Sequence, residues 1–334
     1  MDILVFDENL RPERVLDSAV SLTASECFDG PGACTVRFPL SAAAALIPDR
    51  ILRIPGTEEM YRISSVRCES GTGEAEVRGE GMLGFFSRRA VPEFADRIGN
   101  AEEVLCSLAL DVGAAALPGM VTAERAGVSA GVETKAGKSD LLGTMRQICG
   151  EAGVGMRLEF QPDDGSFRFS VREKKNTGVF LSRSLGNLVR AVRTEDDAGY
   201  KNRAVVLGSV GITVTADAAG LFDDGTDDVN MPVREIFYDA SDVARSHYAS
   251  DDAYREMLLY IARLQLKKHR PQCTLSVETD EATAASLSPG EICFFRDEEL
   301  GISGEALCTE RTLHLSPEGI RHTVLLRVQS YREG

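Results

Sequence analysis

Gly79, Gly81 and Gly84 in the stretch "GEGMLGFFSRRAV" stand at the spacing G-x-G-x-x-G. In a dinucleotide site, glycines so spaced let backbone approach a pyrophosphate held at a helix N-terminus. Such a fingerprint follows a buried parallel strand, usually a near-continuous aliphatic run, and opens a long helix. Here the preceding "EAEVR" is charged at every other residue, and Pro92 arrives eight residues after Gly84. The stretch therefore reads as a strand ending in a glycine turn, followed by a short amphipathic connection.

Other candidate chemistries fail on spacing. In "GVETKAGKSD" five residues rather than four separate Gly131 from Gly137, and Val132 stands where a P-loop needs glycine, so the phosphate nest does not close. Ser139 is expected to cap a helix instead. His247, His269, His314 and His322 form no H-x-x-x-H or H-E-x-x-H pair, and no G-x-S-x-G elbow is present. The cluster "DDGTDD" (Asp223 to Asp228) offers carboxylates for calcium but lacks the alternating ligands and closing Glu of an EF-hand loop. No catalytic residue, cofactor site or metal site is expected, which shifts weight toward a structural role.

The elements follow from periodicity. Residues 1 to 92 alternate short β-like runs with turn signals, and "YRISSVRC" and "EAEVRG" show the period of two that marks strands with one buried face. This is an antiparallel β unit, with a hairpin across "FDGPGA" between Cys27 and Cys34 where free thiols are expected rather than a disulfide. Residues 93 to 187 read as a small α+β domain. "NAEEVLCSLALDVG" puts Val104, Leu105, Leu108 and Val112 on one helical face, with Asn100 as N-cap and Glu103 at the capping-box position. "SDLLGTMRQICGEAG" repeats the pattern with Leu141, Leu142, Met145, Ile148 and Cys149, stopping at Gly150 or Gly153. The hairpin "VGMRLEF", "PDDGS", "FRFSVRE" follows. Residues 188 to 334 return to strands, with an acidic loop region at about 215–252 and a long helix at about 251–268. On that helix Tyr254, Met257, Leu258, Ile261 and Leu264 face a core, and Lys267 to Arg270 complement its carboxyl end.

The last β region matches the first. "CTVRF" begins at Cys34 and "CTLSV" at Cys273; "LIPDRILRI" resembles "LSPGEICFF"; "SVRC" ends at Cys68 and "EALC" at Cys308. The offsets are 239, 241 and 240 residues. Three matches in one order predict a duplicated β domain. The fold class expected is α+β and mainly β, two β-barrel-like domains with an inserted α+β domain.

Composition narrows the function. A chain of 334 residues suits two or three domains, and 43% hydrophobic with 27% charged residues is ordinary for a globular protein. The net charge of −15 argues against neutralising phosphates along a nucleic-acid groove. Residues 195 to 252 hold 13 acidic and 4 basic side chains, a solvated acidic surface. "MDILVFDENLRPE" lacks the basic start and apolar run of a signal peptide, and no segment approaches the roughly 18 apolar residues of a membrane span. Eight cysteines without a C-x-x-C pair fit apolar core positions in a reducing compartment.

The opening "ILVFDENL", the segment "VLDSAVSLTASECFDGPGACTVRFPL", the apolar-then-basic "GEGMLGFFSRRAV" and "YKNRAVVLG" resemble the tail-hub, or baseplate-hub, proteins of long-tailed bacteriophages. The likeness is closest over residues 1 to 92 and 200 to 208, and it marks Gly79, Gly81, Leu83, Phe85, Phe86, Arg88 and Arg89, then Tyr200, Asn202 and Gly208. The chain departs from the family in having no Trp near the first hairpin. The resemblance implies two duplicated tube domains and a homotrimeric ring of six such domains that adapts a sixfold tail tube to a threefold tip. It also implies contacts with the distal tail ring, tail-tip or fibre proteins and the tape-measure protein, a place in the virion after assembly in the host cytoplasm, and passage of DNA without specific binding. Phe85 and Phe86 are expected as anchors, and Arg88 and Arg89 as partners of acids on this chain or a neighbour. The rival class is a tail-tip endopeptidase or cell-wall hydrolase, and a contractile injection system or tailed bacteriocin would use the same fold.

Overall fold

The computed structural model describes residues 2–91, 95–136, 139–219, 221, 232–270 and 272–333. The chain divides into two compact units, one of Met1–Val192 with Leu275–Gly334 and the other of Arg193–Thr274.

The larger unit opens with seven strands: β1 (Ile3–Phe6), β2 (Pro12–Leu16), β3 (Ser21–Cys27), β4 (Ala33–Pro39), β5 (Ile51–Arg53), β6 (Met60–Glu69) and β7 (Glu74–Gly81). All seven contribute to one core, among them Val5, Leu16, Leu22, Val36, Phe38, Leu52, Tyr61 and Val77, and the alternation is clearest in β4 and β7. This is the period-two patterning that buries one face of a sheet. Cys27 and Cys34 flank the β3–β4 turn as free thiols.

Small elements follow: β8 (Ala90–Val91), β9 (Ala95–Asn100), α1 (Ala101–Leu108), β10 (Val121–Glu124), β11 (Gly131–Ala136), β12 (Ser139–Asp140), α2 (Leu141–Ala152), β13 (Gly155–Gln161) and β14 (Ser166–Arg172). Asn100 caps α1 by accepting from Glu103 N at 3.1 Å. The Glu103 carboxylate turns to Arg125 at 3.2 Å instead of closing a capping box. At α2 the N-cap is Asp140, not Ser139: Asp140 Oδ1 accepts from Gly143 N at 2.8 Å, while Ser139 Oγ lies 2.9 Å from Thr144 Oγ1. The stripe of Leu141, Leu142, Met145, Ile148 and Cys149 is buried, and Gly153 ends the helix at φ 68°.

The chain enters a second β unit at β15 (Lys175–Ser182), which pairs in parallel with β21 (Glu291–Asp297), so this unit begins within the stretch 93–187 read from sequence as α+β. It continues through β16 (Leu188–Asp196), β20 (Gln272–Thr279), α4 (Glu281–Ser286), β22 (Ile302–Ser316) and β23 (Gly319–Glu333). The first unit has the strand order β3-β4-β7-β6-β5-β1 and the second β16-β20-β23-β22-β21-β15. Position by position the orders agree. One difference lies at the last strand, where β1 runs antiparallel to β5 while β15 runs parallel to β21. The agreement reaches the backbone: Pro48 precedes Asp49 at φ 70°, and Pro289 precedes Gly290 at φ 98°. Leu46 and Leu287, just before each turn, are 2% and 0% exposed. β22 joins the two units, pairing with β21 through Ile302–Leu307 and with β3 through Glu310–Leu315.

The smaller unit is a three-stranded sheet, β17 (Arg203–Gly208) between β18 (Thr213–Asp217) and β19 (Glu235–Ala240), with α3 (Asp251–Lys268). Tyr254, Met257, Leu258, Ile261 and Leu264 are buried along α3. The stretch read as an acidic loop thus includes the end of β18 and all of β19, and Arg203 on β17 reaches an acid of each: Asp217 at 2.6 Å and Glu235 at 3.9 Å. Asp223 to Asp228 lie outside the described residues.

Candidate functional site

The segment that opens the dinucleotide question is a packing device. β7 ends at Gly81, and Met82–Arg88 form a short 3-10 helix rather than a long α-helix. A Cβ on Gly79 would lie 2.7 Å from Cys34 Sγ, and one on Gly81 would lie 2.2 Å from Glu59 Oε2. One on Gly84 would lie 2.3 Å from Glu80 Cδ. Gly79 and Gly81 are also crowded by backbone, Arg62 O at 3.0 Å and Gly32 N at 2.9 Å, whereas Gly84 faces only the end of the partly exposed Glu80 side chain, which can turn aside.

Leu83, Phe85 and Phe86 are 3%, 7% and 0% exposed. Phe86 packs 6.3 Å from the Phe169 ring, and a Cβ on Gly113 would meet Phe86 Cε1 at 2.6 Å. This pins the end of the first β unit to the α+β core. The arginines divide. Arg88 lies 4.4 Å over the Phe85 ring and donates to Asp49 Oδ1 at 2.8 Å, while Arg62 reaches the same oxygen at 3.1 Å. The Arg88 hydrogen bond, helped by Arg62, holds the Asp49 carboxyl below its ordinary range. Asp49 is the left-handed residue after Pro48, so the turn repeated in both units aims a carboxylate here and has only glycine in the second copy. Arg89 is exposed, forms no ion pair among the described residues, and accepts Leu141 N through its carbonyl at 2.7 Å.

A polar junction that sequence reading missed lies beside this exit. Glu26 on β3 accepts both Nε and Nη2 of Arg311 on β22 through Oε2, at 3.2 and 2.6 Å. Its Oε1 accepts the backbone N–H groups of Glu58 and Glu59. Glu58 pairs with Arg157 on β13. Glu59 Oε2 accepts Gly32 N at 3.0 Å, and burial with the Glu26 charge nearby pushes the Glu59 carboxyl up to about 8. Glu26 and Arg311 stand 285 residues apart, and no local spacing could join them.

The second signature is also structural. Tyr200 is 2% exposed, with Arg234 over its ring at 5.7 Å. Asn202 fastens the approach to β19, accepting Arg234 N at 2.7 Å and donating to Pro232 O at 3.1 Å. Gly208 lets α3 approach β17, since a Cβ there would lie 2.5 Å from Tyr254 Oη and 2.6 Å from Leu258 Cδ1. Beyond it, Val210 is 78% exposed at φ 54°, a left-handed backbone that a β-branched residue adopts at a cost. Val210→Gly is expected to raise unfolding stability by about 1 kcal/mol, the strain relieved less the added chain entropy, read from urea midpoints. An unchanged or lower midpoint would show that the turn carries no such strain. The two signatures lie in separate units.

Among the described residues no three His, Cys, Asp or Glu side chains form a group able to hold a metal ion. His314 Nε2 lies 2.9 Å from Thr323 Oγ1 and His269 Nδ1 lies 3.1 Å from Gly199 O, both structural contacts. Among the described residues, no helix is long and apolar enough to cross a membrane.

A sequence model of the siphovirus ReqiPepy6 Gp37-like protein family matches residues 2–301. No curated protein matches the chain significantly. Solved structures share its fold. A 43 kDa tail protein of prophage MuSo2 from Shewanella oneidensis superposes with a TM-score of 0.60 at 11% identity, over 98% of both chains. The tail protein from Neisseria meningitidis MC58 gives 0.58 at 15% identity, over 98% of this chain and 96% of that one. Prophage tail protein gp18 from Listeria monocytogenes EGD-e gives 0.54 at 15% identity, over 99% and 96%. With this fold and a family match over nearly its whole length, the chain belongs to the siphovirus ReqiPepy6 Gp37-like family and has the architecture of phage tail proteins.

Proposed function

We propose that the protein is the structural hub at the distal end of a phage tail. Three copies form a ring that adapts the sixfold tube to the threefold tip and leaves a passage for DNA. The observation that carries this reading is the pair of β units with one strand order in a single chain. Three chains with two equivalent modules each present six modules to a sixfold partner while keeping threefold symmetry. The net charge of −15 suits a conduit, because carboxylates do not form the phosphate contacts that would retain DNA. The partners are the distal tail ring on one side and tail-tip or fibre proteins on the other, with the tape-measure protein in the passage. The role is mechanical and requires no catalytic group.

The test is native mass across a concentration series, for the chain alone and mixed with its cognate distal tail-ring protein. The expected result is a trimer, or three copies bound to one six-copy ring. A chain that stays monomeric and ignores that ring would overturn the reading.

A further inference from the structure

In the smaller unit α3 packs on one face of the three-stranded sheet. Ala204, Val206 and Gly208 of β17 turn to that side, the first two fully buried and the third crowded by Tyr254 and Leu258. The pairing registers place Arg203, Val205 and Leu207 on the opposite face, beside Asp217, Thr215 and Thr213 of β18 and Glu235, Phe237 and Asp239 of β19. On that face the β18 margin is polar throughout, whereas the β19 margin reads acid, aromatic, acid. Phe237 is 63% exposed there, level with the half-buried Val205.

β19 is also an open edge. Among the described residues it pairs with β17 alone, in unbroken register from Glu235 to Ala240. Free edges are ordinarily blunted by lysine, proline or a bulge, because their unpaired N–H and C=O groups template another strand. β19 has none of these. The fold also makes little use of its acids. Glu235 stands 3.9 Å from Arg203, which is held by Asp217 at 2.6 Å. Asp239 accepts Ser241 N at 2.9 Å and forms no ion pair among the described residues. Arg234, the cation next to the strand, is turned to Asp197 and the Tyr200 ring.

We infer that β19 receives an extended segment of a different protein, a strand with a basic, an apolar and a basic residue at alternate positions. Strand addition sets the incoming side chains beside those of β19 at the same spacing of two. The apolar one then covers Phe237 while its cations face Glu235 and Asp239, and opposite charges on neighbouring strands stabilise the pairing. A second copy of this chain does not supply such a strand. Lysine or arginine recurs four residues apart only as Arg168–Arg172 and Arg263–Lys267, with Ser170 and Gln265 rather than apolar residues at the centres. The first pair lies in β14, which has a strand on each side, and the second in α3. This docking stands apart from the ring, since it uses the smaller unit alone.

The experiment uses the full chain and fluorescein-labelled peptides read by anisotropy at low salt: TKTVTKT, the acidic TETVTET, and TKTVTKT with its backbone nitrogens methylated so that it cannot form a ladder. TKTVTKT is expected to bind wild type about ten-fold more tightly than either of the others. Phe237→Ser should weaken TKTVTKT about five-fold, and the exposed position leaves the fold intact. Glu235→Lys combined with Asp239→Lys should reverse the preference, so that TETVTET binds about ten-fold better than TKTVTKT. Failure of TKTVTKT to bind would overturn the assignment. Equal binding of the methylated peptide would reduce it to general attraction toward an acidic surface. A Phe237→Ser variant that binds as wild type would remove the edge from the contact, and one whose native mass falls below that of wild type would make the edge a joint between copies; either result sinks the proposal.

Discussion

Phe28→Ala is expected to lower unfolding stability by about 3 to 5 kcal/mol, the upper range for emptying a buried aromatic site. Phe28 is 4% exposed in the turn after β3 and is a keystone for three parts of the larger unit. Its N–H donates to Thr309 O on β22 at 2.9 Å, and its carbonyl accepts Met156 N on β13 at 3.0 Å. Two glycines make room for its ring: a Cβ on Gly155 would lie 2.4 Å from Cε2, and one on Gly290 would lie 2.7 Å from Cδ2. Gly290 also holds φ 98°, so a larger residue there would be strained as well as crowded. Urea unfolding followed by far-UV circular dichroism measures the loss. Gly155→Ala should destabilise as well, and it should do so in the Phe28→Ala background too, because its Cβ would also lie 2.4 Å from the Phe28 carbonyl oxygen. A loss below about 1 kcal/mol in Phe28→Ala would remove the keystone role.

The parts of this fold that sequence revealed are those where the physics is local. α3 is readable because Tyr254, Leu258 and Ile261 recur at the helical period and Lys267 and Lys268 close its last turn. The duplication is readable at the turn, where both copies keep a Pro before a left-handed residue and a buried leucine two residues before that Pro; the match of Cys68 with Cys308 does not hold, since Cys68 is exposed, Cys308 is buried, and the ladder shift that follows Ile63 in one copy follows Cys308 in the other. The helix cap was misplaced by one residue, since Ser139 and Asp140 are both competent caps and the choice depends on Ser139 being drawn to Thr144. The second β unit was placed too late because β15 pairs with β21, a partner more than a hundred residues away that leaves no mark on the spacing of "KNTGVFLS". The polar junction was invisible for the same reason, since Glu26, Glu59, Arg157 and Arg311 come from four distant strands or turns. The signature glycines were located but their purpose was not. Gly79, Gly81 and Gly208 are dictated by Cys34, Glu59 and Tyr254, contacts that only the folded chain creates.

Glu59→Gln is expected to make the protein more stable, and by an amount that depends on pH. In the fold the Glu59 carboxyl titrates near 8 instead of its ordinary 4.5, because the main chain around Gly32 and Gly81 strips its water and Glu26 adds a second negative charge. A group whose folded pKa is raised binds its proton more tightly in the native state than in the unfolded state. Its stabilisation is complete below about 4.5 and falls as pH rises to about 8, beyond which it changes no further. Glutamine keeps an oxygen to accept Gly32 N and has no proton to lose, so its contribution stays flat through the same window. The variant should match wild type near pH 4 and exceed it by about 2 to 4 kcal/mol above pH 8, the lower figure allowing for a carboxylate that relaxes toward solvent. Thermal and urea unfolding of both proteins at several pH values supply the difference curve, in which all other titrating groups cancel. A flat difference curve would mean that Glu59 ionises freely, while a difference growing toward acid would mean that its charge supports the junction. The direction also distinguishes the two carboxylates: Glu26 is held by Arg311, whereas Glu59 has only neutral donors and is best accommodated with its proton. Alkaline pH therefore weakens the join between β3, β6 and β22, the strands through which the first β unit meets the second.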